Sequence, residues 1–255
     1  MTVERLLVSE AEVLTGLHEP LRTRPDTVHV WAFTLDGSNS CLELCRGWLS
    51  NDERERADRF VFAHHRSRYT VAHGVMRRLL SLYCDAAPAA LQFEAAVAGK
   101  PALRAGTPGA GSLAFNLTHS EARGAVGISA GIALGIDLEQ LRSDVEVSSI
   151  SGNYFFGAES EAIENASPAL RDSTFFRYWV AKEAVLKAQG IGLGFPLDRF
   201  RVDFLPGGAA ARIETFDPTR LEPGWTVRML PCEAGWLGAV AARGTDWGVQ
   251  LERAG

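Results

Sequence analysis

Apolar and polar positions follow two rhythms along this chain. Val28 to Leu35 (VHVWAFTL) is a run of β-branched and aromatic residues, which predicts a strand. Between Arg66 and Tyr83, Tyr69, Ala72, Met76, Leu79, Leu80 and Tyr83 recur at helical spacing and predict a helix with one buried stripe. Leu113 to Leu117 (LAFNL) predicts a strand that carries Thr118, His119 and Ser120 at its end. Ile132 to Glu139 (IALGIDLE) alternates with period two: Ile132, Leu134, Ile136 and Leu138 on one face, Ala133, Gly135, Asp137 and Glu139 on the other. The helical rhythm then returns, from about Ser173 to Gln189, with Asp172 or Ser173 as the cap and Gly190 beyond the end. Four short strands follow Pro196: Phe200 to Phe204, Ala211 to Thr215, Trp225 to Leu230 and Trp236 to Ala242.

The connecting stretches carry weaker signals. A short helical stretch ends at Trp48, and Ser50 with Glu53 forms a capping box that starts another helix. Residues 95–111 are rich in Gly, Pro and Ala, and residues 144–167 read as loop with a short helix around FFGAESEAI.

Several residues interrupt these patterns with chemistry. Trp179, Glu183 and Lys187 fall at i, i+4 and i+8, on one face of the last predicted helix. A Glu–Lys pair at that spacing is commonly solvated decoration worth about 0.2–0.5 kcal/mol. Here Phe175, Phe176, Val180, Ala184, Val185 and Leu186 wrap the helix in apolar surface, so the pair is expected to be partly desolvated. Asp137 and Glu139 project side by side, roughly 7 Å apart at Cα from the strand rise. Two such carboxylates either run out into solvent or share a hard cation, and Mg²⁺ suits oxygen ligands of this kind. Arg66, Thr70, His73 and Arg77 form a polar stripe that is either a solvated face or an anion site. Gly99-Lys100-Pro101 has no Walker-type run around it, and the neighbours Thr118 and His119 point to opposite faces of a strand, which argues against a nucleophile–base pair.

Composition narrows the classes. The chain has 255 residues and a net charge of −5, with no basic arm, which argues against a nucleic-acid surface. No apolar run is long enough to span a membrane, and the N-terminal stretch has no signal-peptide core. Cys41, Cys45, Cys84 and Cys232 lack zinc-type spacing, so a reducing, cytoplasmic setting is expected.

GIDLE (Gly135 to Glu139) and WVAKEAVLKAQGIGL (Trp179 to Leu193) resemble the two signatures of the 4′-phosphopantetheinyl transferases. The closer resemblance is to the Sfp-like branch, which serves secondary-metabolite synthetases. The order GKP, FNLTHS, GIDLE and the tryptophan-to-lysine signature is kept, and NDERERADRFVFAHHRSR resembles the family's first-half helix region. The resemblance spans about Asn51 to Phe200. It implies an α+β fold of two similar halves related by a pseudo-twofold, residues 1–130 and 131–255, with coenzyme A in the cleft between them. By resemblance, Asp137, Glu139 and Glu183 match Mg²⁺ ligands. Glu183 also matches the base acting on the acceptor serine, directly or through a water, and Lys187 the lysine at the departing phosphate. Lys100, Thr118 and His119 match coenzyme A contacts, with His119 near the 3′-phosphate, and Arg56 and Arg68 match basic residues that hold the same phosphate. Thr118 stands where serine is usual, and Glu53 at a position often basic in close relatives. The implied activity is transfer of 4′-phosphopantetheine from coenzyme A to a serine of an apo acyl or peptidyl carrier protein, of a secondary-metabolite or fatty-acid synthase. A monomer is expected. The rivals are another Mg²⁺-dependent phosphotransferase and a non-catalytic coenzyme A-binding relative.

Overall fold

In the computed structural model, which describes residues 5–95, 99–111, 113–192 and 194–253, the period-two runs form two five-stranded sheets. Leu193, the last residue of the second signature, lies outside the described residues. In chain order the elements are β1 (Val8–Ser9), α1 (Ala11–Thr15), β2 (Thr27–Thr34), α2 (Asn39–Trp48), α3 (Asn51–Asp58) and α4 (Ala63–Cys84). Then come β3 (Phe93–Ala95), β4 (Pro101–Leu103), β5 (Leu113–Ser120), β6 (Arg123–Ala130) and β7 (Leu134–Gln140). The second half continues with α5 (Val147–Tyr154), α6 (Gly157–Glu164), α7 (Pro168–Gln189), β8 (Phe200–Phe204), β9 (Ala210–Thr215), β10 (Trp225–Leu230), β11 (Trp236–Arg243) and β12 (Gly248–Leu251). The fold is α+β.

The first sheet runs β1-β2-β6-β5, with β12 also on β2, and the second runs β7-β11-β10-β9-β8. The chain passes between sheets at residues 131–133, and β12 returns from the far end of the chain to pair in parallel with β2. Side chains alternate across each strand, so each sheet has two apolar faces. Trp31, Phe33, Phe115, Val126 and Ile128 pack under α4, whose Val71, Ala72, Val75, Met76, Leu79 and Leu80 meet them. The opposite face, with Val28, Val30, Ala32 and Ala125, packs against Leu134, Ile136, Leu138, Val240 and Ala242 of the second sheet. The far side of that sheet carries α7 through Phe176, Val180, Ala184 and Val185. Each sheet therefore bears one 22-residue helix on its outer face.

Two differences from the sequence reading have local causes. The last helix starts at Pro168, ahead of the expected Ser173, because proline at the first helical position gives up only an amide that has no intrahelical partner anyway. β6 (RGAVGISA) is a central strand that lacks the expected β-branched run. Its Gly124 and Gly127 fit under bulky neighbours, since an added Cβ would stand 2.8 Å from Phe33 and 2.7 Å from Leu134.

Candidate active site

Gly135 is what lets the two signatures meet. A Cβ there would lie 2.1 Å from the Ala184 carbonyl and 2.3 Å from the Ala188 amide, so the α7 backbone rests directly on β7. Two residues further along the same face of β7, Asp137 reaches the Lys187 ammonium at 2.6 Å. We expect Gly135→Ala to force α7 off β7, lowering the unfolding temperature by several degrees and activity by at least about tenfold, since overpacking costs about 1–3 kcal/mol and small misplacements are amplified in turnover. Thermal unfolding and turnover of this variant check both.

β5 supplies the other wall. Asn116, Thr118 and Ser120 project from one face of this edge strand onto β7. The Asn116 Oδ1 accepts from the Ile136 amide at 2.9 Å, and the Ser120 hydroxyl accepts from the Gln140 amide and donates to Glu139 at 2.6 Å. Thr118 donates to Asp137 Oδ1 at 3.1 Å and accepts from Lys187 at 3.0 Å. The motif FNLTHS thus stitches one sheet edge to the other. Asn116 was not singled out from the sequence, and Ser120 was named only at the end of the strand, although their i, i+2, i+4 spacing with Thr118 places all three on one face.

Glu183 projects from α7 toward the same carboxylates and is only 7% exposed. Burial, and then the charge of Asp137, push its carboxyl up to about 7, with Glu139 adding and Lys187 opposing. Asp137 Oδ2 and Glu183 Oε1 are buried without a hydrogen-bond partner. Two orphaned carboxylate oxygens among like charges are the donor set that a hard divalent cation satisfies. With Lys187 on Asp137 and Ser120 on Glu139, no three ligating side chains among the described residues close into a finished cage.

The Glu183 shift has a measurable consequence in metal-free protein. Its folded value lies above the ordinary 4.5, so between about pH 4.5 and 7 the folded state holds a proton that the unfolded state has released. That contribution is complete below pH 4.5 and is lost as pH rises through 7, a change of up to about 3 kcal/mol. In EDTA, the unfolding temperature should fall from pH 5 to pH 8, and Glu183→Gln should flatten the fall.

On the opposite face of β5, a cleft of about 440 Å³ is lined by Arg56, Tyr69, His73, Phe93, Gly99 and His119, among others. A larger cleft of about 780 Å³, between β10 and β12, contains none of the candidate residues. Arg56 and His119 therefore come together as expected. Arg68 does not line this cleft: it donates to Asp36 at 2.9 and 3.2 Å and stands 3.8 Å from Glu121. The Lys100 ammonium donates to the Leu134 carbonyl at 2.6 Å and the Ala188 carbonyl at 3.4 Å, tying the last turn of α7 to the start of β7. Burial lowers its pKa to about 8. Its neighbours Gly99 and Pro101 do line the cleft. The stripe Arg66, Thr70, His73 and Arg77 is not one surface: Arg66 is exposed, and Thr70 and Arg77 are buried. Arg77 is 2% exposed and donates to Glu53 and to the Pro88 and Leu91 carbonyls, whereas His73 faces the cleft.

A cleft lined by Arg56, His73 and His119 beside Asp52 and Glu53 on one side of a strand, and a desolvated carboxylate–lysine cluster on the other, fit an enzyme that transfers a phosphate-linked group. Residues 133–239 match the family model of the 4′-phosphopantetheinyl transferase superfamily. The chain is 33% identical over 224 residues to the 4′-phosphopantetheinyl transferase HetI of Nostoc sp., covering 87% of this chain and 90% of that one. It is 30% identical to a putative 4′-phosphopantetheinyl transferase of Synechocystis sp., over 59% of this chain and 61% of that one. With a 4′-phosphopantetheinyl transferase of Bacillus subtilis the identity is 27%, over 60% of this chain and 66% of that one. The chain belongs to the 4′-phosphopantetheinyl transferase superfamily, and it is a transferase that moves phosphopantetheine from coenzyme A to carrier proteins. Among the described residues, no helix is long and apolar enough to cross a membrane.

Proposed function

We propose that Asp137, Glu139 and Glu183 hold Mg²⁺ and that Lys187 and Glu183 carry the transfer. The observation that supports this most is the pair of buried, unpartnered oxygens Asp137 Oδ2 and Glu183 Oε1 beside the Lys187–Asp137 contact. When bound, the metal supplies charge neutralisation at the donor pyrophosphate. The nucleotide end of coenzyme A occupies the cleft lined by Arg56 and His119, and Lys100 and Thr118, which lie outside that lining, hold β7 and α7 beside it. Residues 1–130 contribute these groups and residues 131–255 the carboxylates and Lys187.

The serine oxygen of the carrier attacks the phosphorus that bears pantetheine. Glu183 takes the serine proton directly or through a water. The bond to the bridging pyrophosphate oxygen breaks, and Lys187 stabilises the charge on that oxygen as adenosine 3′,5′-bisphosphate departs. Both sets of groups come from one chain, which supports a monomer. The setting is cytoplasmic, and the carrier belongs to a polyketide, peptide or fatty-acid synthase.

Product analysis tests this. Adenosine 3′,5′-bisphosphate should appear stoichiometrically with an apo carrier and not with a carrier whose acceptor serine is alanine. Release independent of that serine would favour a different phosphotransferase, and coenzyme A binding with no release a non-catalytic module.

A further inference from the structure

β5 divides its side chains between two tasks. Leu117 and His119 line the cleft, whereas Thr118 and Ser120, on the other face, are buried against β7. The two hydroxyls stand two residues apart, and so do the carboxylates that they meet. Thr118 donates to Asp137 Oδ1 at 3.1 Å and Ser120 to Glu139 Oε2 at 2.6 Å, each pair 19 positions apart in the chain. One hydroxyl thus serves each β7 carboxylate.

The register behind this pairing is fixed from both ends. Asn116 accepts from the Ile136 amide at 2.9 Å, and Ser120 accepts from the Gln140 amide at 3.3 Å. The β7 backbone is therefore held just before Asp137 and just after Glu139, by side chains of the other sheet. The two hydroxyls then act on the carboxylates themselves. A carboxylate held through one oxygen loses its free rotation, and its other oxygen is presented in a fixed direction. At Asp137, Thr118 and Lys187 both engage Oδ1, and Oδ2 is the buried oxygen without a partner. The Thr118 hydroxyl also accepts from Lys187 at 3.0 Å. Its O–H is committed to Asp137, which leaves none for the donor nucleotide.

We propose that Thr118 and Ser120 are positioning residues of the metal site. Each hydroxyl holds one oxygen of its carboxylate, Asp137 Oδ1 or Glu139 Oε2, and so aims the other oxygen at the divalent cation. The hydroxyls lie in residues 1–130 and the carboxylates in residues 131–255, so the first half of the chain sets the strength of a cation site whose ligands all come from the second. The inference rests on the reading that Asp137, Glu139 and Glu183 hold Mg²⁺.

Titration of the protein with Mn²⁺ alone tests this without coenzyme A or a carrier. Mn²⁺ takes the same hard oxygen ligands as Mg²⁺, and electron paramagnetic resonance counts the ion left free. Thr118→Val keeps the side-chain outline and removes the hydroxyl. It should weaken Mn²⁺ binding about tenfold, and Ser120→Ala should do the same through the other carboxylate. Thr118→Ser should restore wild-type affinity. Hydroxyls that only join the sheets would lower the unfolding temperature in EDTA and leave Mn²⁺ affinity unchanged. Wild-type affinity in folded Thr118→Val and Ser120→Ala, with affinity lost in Asp137→Ala, therefore overturns the proposal and leaves the metal reading standing. Weakening by Thr118→Val that Thr118→Ser does not restore also overturns it. Should Thr118→Val fail to fold, Ser120→Ala decides by the same criterion. A wild type that binds no Mn²⁺, or Asp137→Ala that binds it equally well, overturns the metal reading and this proposal with it.

Discussion

Asp137→Ala should lower phosphopantetheine transfer by at least about a thousandfold while the protein remains folded, because removing a group that both holds a metal and fixes a catalytic side chain takes away several kcal/mol of transition-state stabilisation. Asp137 does two things at once. One oxygen holds the Lys187 ammonium at 2.6 Å and accepts from Thr118, and the other is buried and unpartnered. Truncation releases Lys187, whose side chain is 29% exposed and can hydrate, so the fold should tolerate the change. The variant should also lose Mg²⁺ binding in calorimetry and show a shallower pH dependence of stability, since burial is the largest cause of the Glu183 shift and the charge of Asp137 the next. Unchanged turnover would remove Asp137 from the mechanism.

The largest stability effect is expected away from the reacting atoms. Lys182, the residue before Glu183, is fully buried and pairs with Glu159 of α6 at 2.8 Å. Its ammonium also donates to the Leu197 and Phe200 carbonyls, both at 2.8 Å, and lies 4.1 Å from the Phe200 ring centroid. Glu159 accepts in turn from the Val202 and Phe156 amides. This pair clamps α6, α7 and the entry to β8 together behind the catalytic face. Burial lowers the Lys182 pKa to about 8 and raises that of Glu159, so each charged form persists only because of the other's presence and the surrounding carbonyls and amides. Glu159→Ala leaves a buried, unpaired ammonium and should destabilise the protein by about 3–5 kcal/mol, a drop in unfolding temperature of roughly 10 °C. The double variant Glu159→Leu, Lys182→Met should recover only part of that loss, because it removes the unpaired charge but takes away the partners of the Leu197 and Phe200 carbonyls and the Val202 and Phe156 amides. A drop in Glu159→Ala below about 2 °C would show that the pair is not the clamp described.

The sequence made the catalytic face readable for a physical reason. Helical spacing fixes Glu183 and Lys187 to one side of α7, period-two spacing fixes Asp137 and Glu139 to one side of β7, and both are local geometry. The capping box at Ser50 and Glu53 and the left-handed Gly190 were equally local, and both are present. What the sequence concealed was long-range. Lys182 differs from a surface lysine only through Glu159, 23 positions earlier, and nothing in either segment announces the pairing. Arg77 reads as part of a basic stripe until the Pro88 and Leu91 backbone carbonyls and the Glu53 carboxylate claim it. β6 hid because its value to the sheet lies in being small, and β12 because four residues carry too little pattern to suggest a strand that pairs with β2. Arg68 matched a phosphate contact by resemblance, yet Asp36 and Glu121 hold its guanidinium outside the cleft.

The most direct test of the transfer mechanism is the intact mass of an apo carrier protein after incubation with this enzyme, coenzyme A and Mg²⁺. One added phosphopantetheine per acceptor serine is expected, abolished by EDTA and restored by excess Mg²⁺. Modification that proceeds undiminished in EDTA would contradict the metal-binding role given to Asp137, Glu139 and Glu183, and no modification of any carrier would contradict the transfer itself.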